Sequence, residues 1–325
     1  MTIDGHTSLG SSDLQVSRIA LGCMGLAQPT GRHPWTLDED TAQPIFRRAV
    51  ELGITLWDTA NVYGHGTSEE ILGRAARRYT RREEVVIATK VGLPMHDGPT
   101  GSGLSRQAIM EQIDASLRRL GTDYVDVYQV HRFDPKTPVE ETMEALHEVV
   151  AAGKARFLGA SSMAAWRFAK MQHAAQLHSW TAFVSMQKNQ YSLVQREEER
   201  EMFGLLADQA VSSLTWCPLA SGRLARPYGQ QTSRSTNDQI GKQFFDDADH
   251  AIIDGVQTVA NAHDVTMAQV ALAWILSNPV VAAPIVGATA PHHLDEAAAA
   301  LTVTLSGQEH VMLTAPYTPR QPTGY

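Results

Sequence analysis

The sequence predicts a single eight-stranded parallel (β/α)8 barrel. Eight short β-type runs alternate with amphipathic helical patterns, and several of the runs are almost continuously apolar. The links from strand to helix are longer than those from helix to strand, and a barrel places all strand-to-helix loops on the face that carries its active site. A length of 325 residues allows two domains or one large barrel, and the alternation favours one domain over residues 1–325.

The predicted strands are short runs rich in β-branched, aromatic and other apolar residues. In chain order they are Arg18–Gly22, Thr55–Asp58, Val85–Thr89, Tyr124–Val130, Phe157–Ala160, Phe183–Gln187, Ser212–Trp216 and Ala283–Val286. We expect a short β-hairpin at about residues 6–16 before the first of them.

The predicted helices show a 3.6-residue apolar period between these strands. They are Thr41–Leu52, Ser68–Tyr79, Ser105–Leu120, Val139–Ala152, Met163–Leu177, Glu197–Gln209, Ala248–His263, Met267–Ser277 and a last helix at about Pro291–Leu301. Thr67 and Glu70 have the spacing of a capping box, and Ser105 is a candidate N-cap. Gly53 and Gly121 follow helices where a left-handed residue is expected.

Connection lengths separate the barrel from its alternative, an open doubly wound sheet. The long strand-to-helix links are residues 23–40, 90–104 and 217–247. A doubly wound sheet that binds a dinucleotide carries Gly-x-Gly-x-x-Gly after its first strand. Here Gly22 and Gly25 have the wrong spacing, and Gly98–Gly103 lies in the middle of a loop. The barrel is therefore preferred.

Composition excludes several functional classes. The chain has 35 acidic and 27 basic residues, a net charge of −8, which disfavours binding to nucleic acid. Hydrophobic residues make up 43% of the chain, too many for a disordered protein. The sequence contains no run of about 18 apolar residues, which a membrane-spanning helix would need. The polar segment Met1–Gly10 does not resemble a signal peptide, and Cys23 and Cys217 are interpreted as buried thiols. We expect a cytoplasmic protein.

Ionisable residues cluster where three adjacent strands end. Asp58 ends the second strand and Tyr63 follows it, while Lys90 and His131 follow the third and fourth strands. Taken alone, each of these residues could have a purely structural role. Asp58 could cap a turn and Tyr63 could be a packed aromatic residue. Lys90 could be a solvated lysine and His131 a structural histidine. Because the carboxyl ends of parallel strands meet at one rim, we expect the four side chains to converge there.

The chemistry of these four residue types indicates proton transfer. A buried lysine needs a counter-charge, and Asp58 is its candidate partner. An ammonium beside the phenol of Tyr63 would let that phenol both give and take a proton, and His131 would orient a carbonyl oxygen. Reduction of a carbonyl carbon also needs a hydride, which no side chain supplies, so a cofactor is required.

At these residues the sequence resembles the aldo-keto reductase superfamily, especially its bacterial reductases and the related potassium-channel β subunits. The resemblance covers residues 8–305. The similar segments are Asp58–Gly64, Ala88–Lys90, Gln129–His131, Gly159–Ser162, Ser185–Gln187, Trp216–Leu224 and Pro284–Gly287.

The resemblance implies a reductase of aldehydes and ketones that binds a nicotinamide dinucleotide without a Rossmann domain. It implies a catalytic tetrad of Asp58, Tyr63, Lys90 and His131, with Tyr63 as the proton donor. The channel subunits lack the histidine, so His131 favours an active enzyme. The alternatives are a slow nucleotide-sensing regulatory subunit and a dedicated ketoreductase of a biosynthetic pathway.

The resemblance also implies the cofactor contacts. Ser161 and Gln187 would bind the nicotinamide carboxamide, with Ser162 beside them, and Trp216 would stack on the ring or serve as a core tryptophan. The remaining candidates, assigned to the nicotinamide side, the pyrophosphate and the adenosine end, are Gly22, Cys23, Met24, Asp58, Cys217, Pro218, Leu219, Ser221, Arg226, Arg234, Gly287, Thr289, His293 and Glu296.

The last strand-to-helix loop bears on the choice between NADP(H) and NAD(H). Thr289 and Glu296 match NADP-binding relatives, but Ala290 occupies the position where a basic residue is frequent. A missing basic residue removes a charge-assisted contact to the 2′-phosphate. We expect NADP(H), with NAD(H) as the alternative. The pair His292–His293 is not interpreted as a metal site, because adjacent helical residues point to different faces.

The substrate is expected to be a small carbonyl compound or alcohol. Candidate pocket residues on the rim loops are Trp35, Leu93, Arg132 and Phe133, and their mostly apolar character favours aromatic or medium-chain carbonyls. The segment Thr314–Tyr325 either folds over the barrel mouth or is a flexible tail. The sequence does not indicate an oligomeric state.

Overall fold

A computed structural model gives the arrangement of the chain and describes residues 5–29, 34–188, 190–230 and 249–321. Eight parallel strands close into a barrel, with the last strand paired to the first through Ile285 and Ala20. The barrel strands are β3 (Ala20–Gly22), β4 (Leu56–Asp58), β5 (Val86–Val91), β6 (Val125–Val130), β7 (Ala155–Ser161), β8 (Phe183–Lys188), β9 (Ser212–Trp216) and β10 (Val281–Val286). The predicted (β/α)8 barrel is confirmed.

The helices lie outside the barrel and separate its strands along the chain. They are α1 (Glu39–Leu52), α2 (Thr67–Tyr79), α3 (Arg106–Leu120), α4 (Val139–Ala151), α5 (Ala165–His178), α6 (Met202–Asp208), α7 (His250–His263), α8 (Met267–Leu276), α9 (His292–Ala299) and α10 (Gly307–Thr314). Among the described residues, no helix has the length and apolar character needed to cross a membrane.

Helix ends follow the local signals with one exception. Ser105 accepts a hydrogen bond from the backbone N–H of Ala108, and Gly53 and Gly121 are left-handed, as predicted. The predicted capping box of Thr67 and Glu70 is wrong. The Thr67 hydroxyl donates instead to the carbonyl of Gly64, because the preceding chain turns tightly there.

An N-terminal hairpin closes one end of the barrel. Strands β1 (His6–Ser8) and β2 (Gln15–Ser17) pair antiparallel. Leu9 and Val16 from the hairpin pack with the apolar side chains inside the barrel, such as Leu56 at the start of β4. The backbone N–H of Gly10 donates to Ser212 Oγ at 2.7 Å. The hairpin therefore seals the end of the barrel where the strands begin.

The barrel interior changes character along its length. Its apolar core includes Leu56, Val86, Val127 and Leu214, whereas the strand ends on the opposite side carry buried polar side chains. A second, larger apolar core lies between the strands and the helices. Hydrophobic burial thus fixes the barrel on both sides of the sheet and leaves one polar end for chemistry.

The C-terminal segment packs on loops of this polar end as far as the structure describes it. The Tyr317 hydroxyl donates to Glu197 Oε1 at 2.8 Å, and the backbone N–H of Arg320 donates to the same oxygen at 2.8 Å. The Arg320 guanidinium pairs with the buried carboxylate of Asp249 at 2.6 Å. These contacts join the segment after β8 to the start of α7.

Candidate active site

Lys90 is the centre of a buried polar cluster at the strand ends. Its side chain is fully buried on β5, and Nζ donates to Asp58 Oδ1 at 2.6 Å, to the Thr59 carbonyl at 2.8 Å and to Tyr63 OH at 3.2 Å. An ammonium group has three N–H donors, and each has an acceptor here. The structure therefore brings three of the four predicted residues into direct contact.

Opposing influences act on the ammonium of Lys90. Burial would lower the pKa of Lys90, but the negative charge of Asp58, the phenol of Tyr63 and the hydrogen bonds to both outweigh it. The pKa of Lys90 is therefore raised, and the side chain is a cation at neutral pH. A charged donor thus contacts the phenol oxygen.

The position of Tyr63 depends on a left-handed turn. After Tyr63, residues Gly64, His65 and Gly66 all have positive φ angles of 54°, 59° and 97°. A Cβ atom on Gly64 would lie 2.5 Å from Ala27 Cβ and 2.3 Å from Thr67 Oγ1. Glycine is required at that position by both conformation and space. The turn directs the chain into α2 and leaves Tyr63 partly exposed.

His131, the fourth predicted residue, lies against Tyr63. The two rings meet edge to face, with centroids 5.7 Å apart. Burial, and then the positive charges of Lys90 and Arg132, lower the pKa of His131 well below its usual value, so the imidazole is neutral. Within the described part of the chain, its Nδ1 has no hydrogen-bond partner. A phenol and a neutral imidazole therefore adjoin each other beside a cation.

The residues predicted to bind the nicotinamide group converge at the ends of β7, β8 and β9. Ser161 pairs with Gln187 in the β7–β8 register, and the hydroxyls of Ser161 and Ser162 are 3.1 Å apart. Trp216 Nε1 donates to Ser162 Oγ at 3.4 Å, and its ring is partly exposed. Gln187 Nε2 donates to Asp58 Oδ2 at 2.7 Å, a contact that the sequence did not indicate.

The predicted pyrophosphate segment forms a tight turn directly after β9. Cys217, Ala220 and Ser221 have positive φ angles, and the N–H of Ser221 donates to Cys217 Sγ at 3.2 Å. The N–H of Ala220 donates to the carbonyl of Cys217. Two of the backbone donors are thus engaged within the turn, which also contains Pro218 and Leu219.

The arginines predicted as further phosphate contacts and the residues predicted for the adenosine end come from two loops. Arg226 packs against Gly222, where an added Cβ would lie 2.8 Å from the guanidinium. The N–H of Thr289 donates to His293 Nδ1 at 3.2 Å, and burial, followed by the charge of His292, lowers the pKa of His293. Gly287 is exposed at the end of β10, with Glu296 on α9. The remaining candidate, Arg234, lies outside the described residues.

Rim residues flank the mouth of the barrel. Gly22 ends β3, the N–H of Cys23 donates to the Asp58 carbonyl at 2.8 Å, and Met24 is exposed. Arg132 donates to the carbonyl of His131 at 2.9 Å. The rim candidates Trp35, Leu93 and Phe133 are all partly buried.

Two residues that the sequence analysis did not assign also contribute. Gln129 Nε2 donates to Asp58 Oδ2 at 3.0 Å, inside the barrel. Trp166 is 63% exposed at the start of α5, and its ring centroid lies 6.4 Å from that of Phe133. For Gln129 the available signal was a polar side chain in an otherwise apolar strand end. For Trp166 it was a large aromatic residue in the first turn of a helix that follows the rim.

The chemistry of this donor set fits a nicotinamide dinucleotide. A partly exposed indole borders serine hydroxyls and a glutamine amide, which suits a flat ring that carries a carboxamide. Apart from Gly287 and its two chain neighbours, no described residue has an atom within 4 Å of the position that a Cβ on Gly287 would take, so there is space at the end of β10. For a metal ion, no group of three or more suitable ligands exists in the described part of the chain.

Fold and site together define a class of protein: a (β/α)8 barrel with a buried lysine–carboxylate pair beneath a tyrosine phenol. Comparison of the sequence with family models identifies the particular family. The chain belongs to the Aldo/keto reductase family, whose model matches residues 18–317. This membership confirms the predicted oxidoreductase, and members of the family use NAD(P)H.

Several fungal proteins are similar to the chain over nearly their whole length. The versiconal hemiacetal acetate reductase of Aspergillus parasiticus is 43% identical, over 97% of this chain and 97% of that protein. The aldo-keto reductase AFTS1 of Alternaria alternata is 43% identical, over 96% and 91%. The putative aryl-alcohol dehydrogenase AAD16 of Saccharomyces cerevisiae is 35% identical, over 99% of both chains.

Proposed function

We propose that this protein reduces aldehydes and ketones to alcohols with NADPH, and that Tyr63 delivers the proton. The observation that carries the proposal is the 3.2 Å contact between Lys90 Nζ and Tyr63 OH, with Lys90 held by Asp58. A cation against a phenol oxygen stabilises the phenolate that remains after proton transfer. Tyr63, Lys90, Asp58 and His131 thus form one proton-transfer unit.

In this proposal each residue of the unit has a separate task. The substrate carbonyl oxygen lies against Tyr63 OH, and a bound nicotinamide dinucleotide supplies the hydride to the carbonyl carbon. The proton of Tyr63 moves to the substrate oxygen, and Lys90 stabilises the phenolate. Neutral His131 donates a hydrogen bond that orients the same oxygen. In the reverse direction the phenolate accepts the alcohol proton.

Residues at the ends of β7–β10 would hold the cofactor. Ser161, Ser162 and Gln187 would bind the carboxamide, and Trp216 would cover one face of the ring. NADP(H) is preferred because Arg226 and the N-terminus of α9 are the candidate contacts for the 2′-phosphate, although Ala290 supplies no charge. Replacement of Arg226 by alanine should weaken NADPH binding about tenfold and leave NADH binding nearly unchanged.

We further propose that aromatic carbonyl compounds are the substrate class. The exposed ring of Trp166 and the ring of Phe133 form an aromatic surface beside the mouth, and aromatic rings favour flat partners. The name of one relative, a putative aryl-alcohol dehydrogenase, supports the same class. The name of another, a versiconal hemiacetal acetate reductase, supports the alternative of a biosynthetic ketoreductase.

Single-turnover kinetics test the proposal. Enzyme loaded with NADPH is mixed with 4-nitrobenzaldehyde, and the decay of NADPH absorbance is followed. Tyr63→Phe should keep NADPH affinity and lose at least about 100-fold in the rate of decay. Tyr79→Phe, a partly buried tyrosine at the end of α2, is the matched control and should react like the unmodified protein.

The same experiment separates an enzyme from a nucleotide-sensing subunit. Tight NADPH binding with no decay on addition of several aldehydes would contradict the reductase and favour the sensor. An unchanged rate in Tyr63→Phe would contradict the assigned role of Tyr63, whatever the substrate.

A further inference from the structure

The carboxylate of Asp58 accepts hydrogen bonds from three side chains of three other strands. Its Oδ1 accepts from Lys90, and its Oδ2 accepts from Gln129 Nε2 at 3.0 Å and from Gln187 Nε2 at 2.7 Å. All four side chains are buried. The two amides reach Asp58 from β6 and β8, on either side of β7.

Gln129 can extend across the barrel because β7 leaves space for it. An added Cβ on Gly159 would lie 3.0 Å from Gln129 Cγ and 2.8 Å from Ser185 Oγ. Any larger residue at position 159 would thus clash with the aliphatic part of the Gln129 side chain. Gly159 is therefore needed in this strand to make room for the side chain of Gln129.

The carboxylate fixes the orientation of both amides. An ionised carboxylate only accepts hydrogen bonds, so Gln129 and Gln187 must both turn their NH₂ groups toward Asp58. Gln187 Nε2 also lies 3.4 Å from Gln129 Oε1. Both N–H donors of Gln187 are therefore engaged, one by Asp58 and one by Gln129. Its own oxygen, Oε1, is the atom left to meet a ligand.

We propose that Gln129 is a positioning residue that holds Gln187 as a hydrogen-bond acceptor toward the cofactor and joins Gln187 to the Asp58–Lys90 pair. The inference rests on the proposed function, in which Gln187 contacts the nicotinamide carboxamide. Gln187 Oε1 would therefore select a cofactor group that donates an N–H, as a primary carboxamide does. A ligand that offers only a carbonyl oxygen and a methyl group there leaves Gln187 Oε1 unpaired.

The test compares two cofactors that differ at this group. NADPH carries a carboxamide, and the reduced 3-acetylpyridine analogue carries a methyl ketone in its place. Dissociation constants are measured for both by quenching of tryptophan fluorescence, without substrate. The unmodified protein should bind the analogue about tenfold more weakly than NADPH, the equivalent of one hydrogen bond left unmade.

Replacement of Gln129 should narrow this difference. Gln129→Leu removes the acceptor that engages the second N–H of Gln187, so this N–H can be offered to the ketone while the first N–H stays on Asp58. We expect the analogue to bind within about threefold of NADPH in this variant. Gln129→Met, with a more flexible side chain of similar size, serves as a second variant if Gln129→Leu does not fold.

Ser185→Ala is the matched control. Ser185 lies on β8 next to Gln129 and Gly159, and among the described residues its hydroxyl has no hydrogen-bond partner. This variant should keep the full discrimination. A merely structural role of Gln129 would weaken both cofactors equally, so an unchanged ratio in Gln129→Leu and Gln129→Met would overturn the inference. Failure of the unmodified protein to bind either cofactor would instead contradict the proposed function.

Discussion

The two faces of strand β5 carry buried carboxylate contacts of different kinds. Lys90 points into the barrel and pairs with Asp58. Its neighbour Thr89 points toward the helices and donates to Glu69 Oε1 at 2.6 Å, while Arg119 Nε of α3 donates to Glu69 Oε2 at 2.6 Å. Both carboxylates are buried, and the two β5 residues that contact them, Thr89 and Lys90, are consecutive in sequence.

The comparison separates a buried charge that serves chemistry from one that serves packing. On the outer face, Glu69 connects β5, α2 and α3, and its partners are fixed parts of the scaffold. On the inner face, the contacts of Asp58 lead through Lys90 to Tyr63, which is partly exposed at the mouth. Buried ion pairs often add little net stability. The inner cluster differs from the outer one because it ends at the phenol of Tyr63, which is partly exposed at the barrel mouth.

The largest expected effect comes from the inner face. Lys90→Met keeps a long apolar stem and removes the cation that contacts Tyr63 OH. The rate of carbonyl reduction should fall at least about 1,000-fold, since the phenolate loses its stabilising charge. Steady-state rates with NADPH and 4-nitrobenzaldehyde measure the loss, and circular dichroism verifies the fold. Activity within tenfold of the unmodified protein would remove Lys90 from the proton-transfer unit.

On the outer face, a comparable change should affect stability and spare chemistry. Arg119→Met leaves the buried carboxylate of Glu69 without its cation, so the free energy of unfolding should fall by about 3 kcal/mol. Urea denaturation measures the loss, and turnover of the folded variant should stay within about threefold. If turnover fell as far as in Lys90→Met, the two faces would not be functionally separate.

A milder version of the outer change is Thr89→Val, which removes only the hydroxyl. Glu69 loses one hydrogen bond but keeps Arg119, and the expected loss of unfolding free energy is about 1–2 kcal/mol. The midpoint of urea denaturation should shift accordingly, without a change in KM for the aldehyde. A destabilisation equal to that of Arg119→Met would mean that the hydroxyl stabilises Glu69 as much as the cation does, contrary to this expectation.

The smallest expected effect concerns pH and arises from His131 on the inner face. Its pKa is lowered in the folded protein, whereas the unfolded chain has the usual value of about 6.5. Below pH 6.5 the unfolded state binds a proton that the folded state does not, so stability decreases as pH falls. Between pH 7 and 5.5, this histidine should account for about 1 kcal/mol of the decrease.

The matched variant for this pH effect is His131→Gln, which cannot titrate. Its free energy of unfolding, measured by urea denaturation at both pH values, should decrease by about 1 kcal/mol less than that of the unmodified protein over the same range. Identical pH dependence in both proteins would show that His131 takes up its proton equally in the folded and unfolded states, contrary to the lowered pKa that its burial causes.

Local patterns predicted the barrel strands well, and contacts across the barrel were not predictable. All eight strands were located, because a buried parallel strand is apolar over a short run and is bounded by loops. Helix α10 was missed, although Ser306 and Glu309 form a capping box in the sequence. That helix exposes Val311 and Met312, so its apolar period is weak.

The candidate site shows the same division. Strand ends predicted the convergence of Asp58, Tyr63, Lys90 and His131, because position at a rim follows from topology alone. The contact of Gln187 with Asp58 joins residues 129 positions apart in the chain. It depends on side-chain length and on the diameter of the barrel, which one sequence does not specify. The same reason explains why Gln129 was not assigned a role.

The N-terminal hairpin has a consequence for the order in which the chain folds. Gly10 bonds to Ser212, 202 positions later, and the backbone around Gly10 lies against the carbonyl of Val184. This segment leaves the ribosome before β8 and β9, so its docking site is synthesised much later than the segment itself. The apolar cluster that buries Leu9 and Val16 draws on strands from β3 to β10 and is complete only when the last of them has been synthesised. We therefore expect the hairpin to close its end of the barrel late in folding.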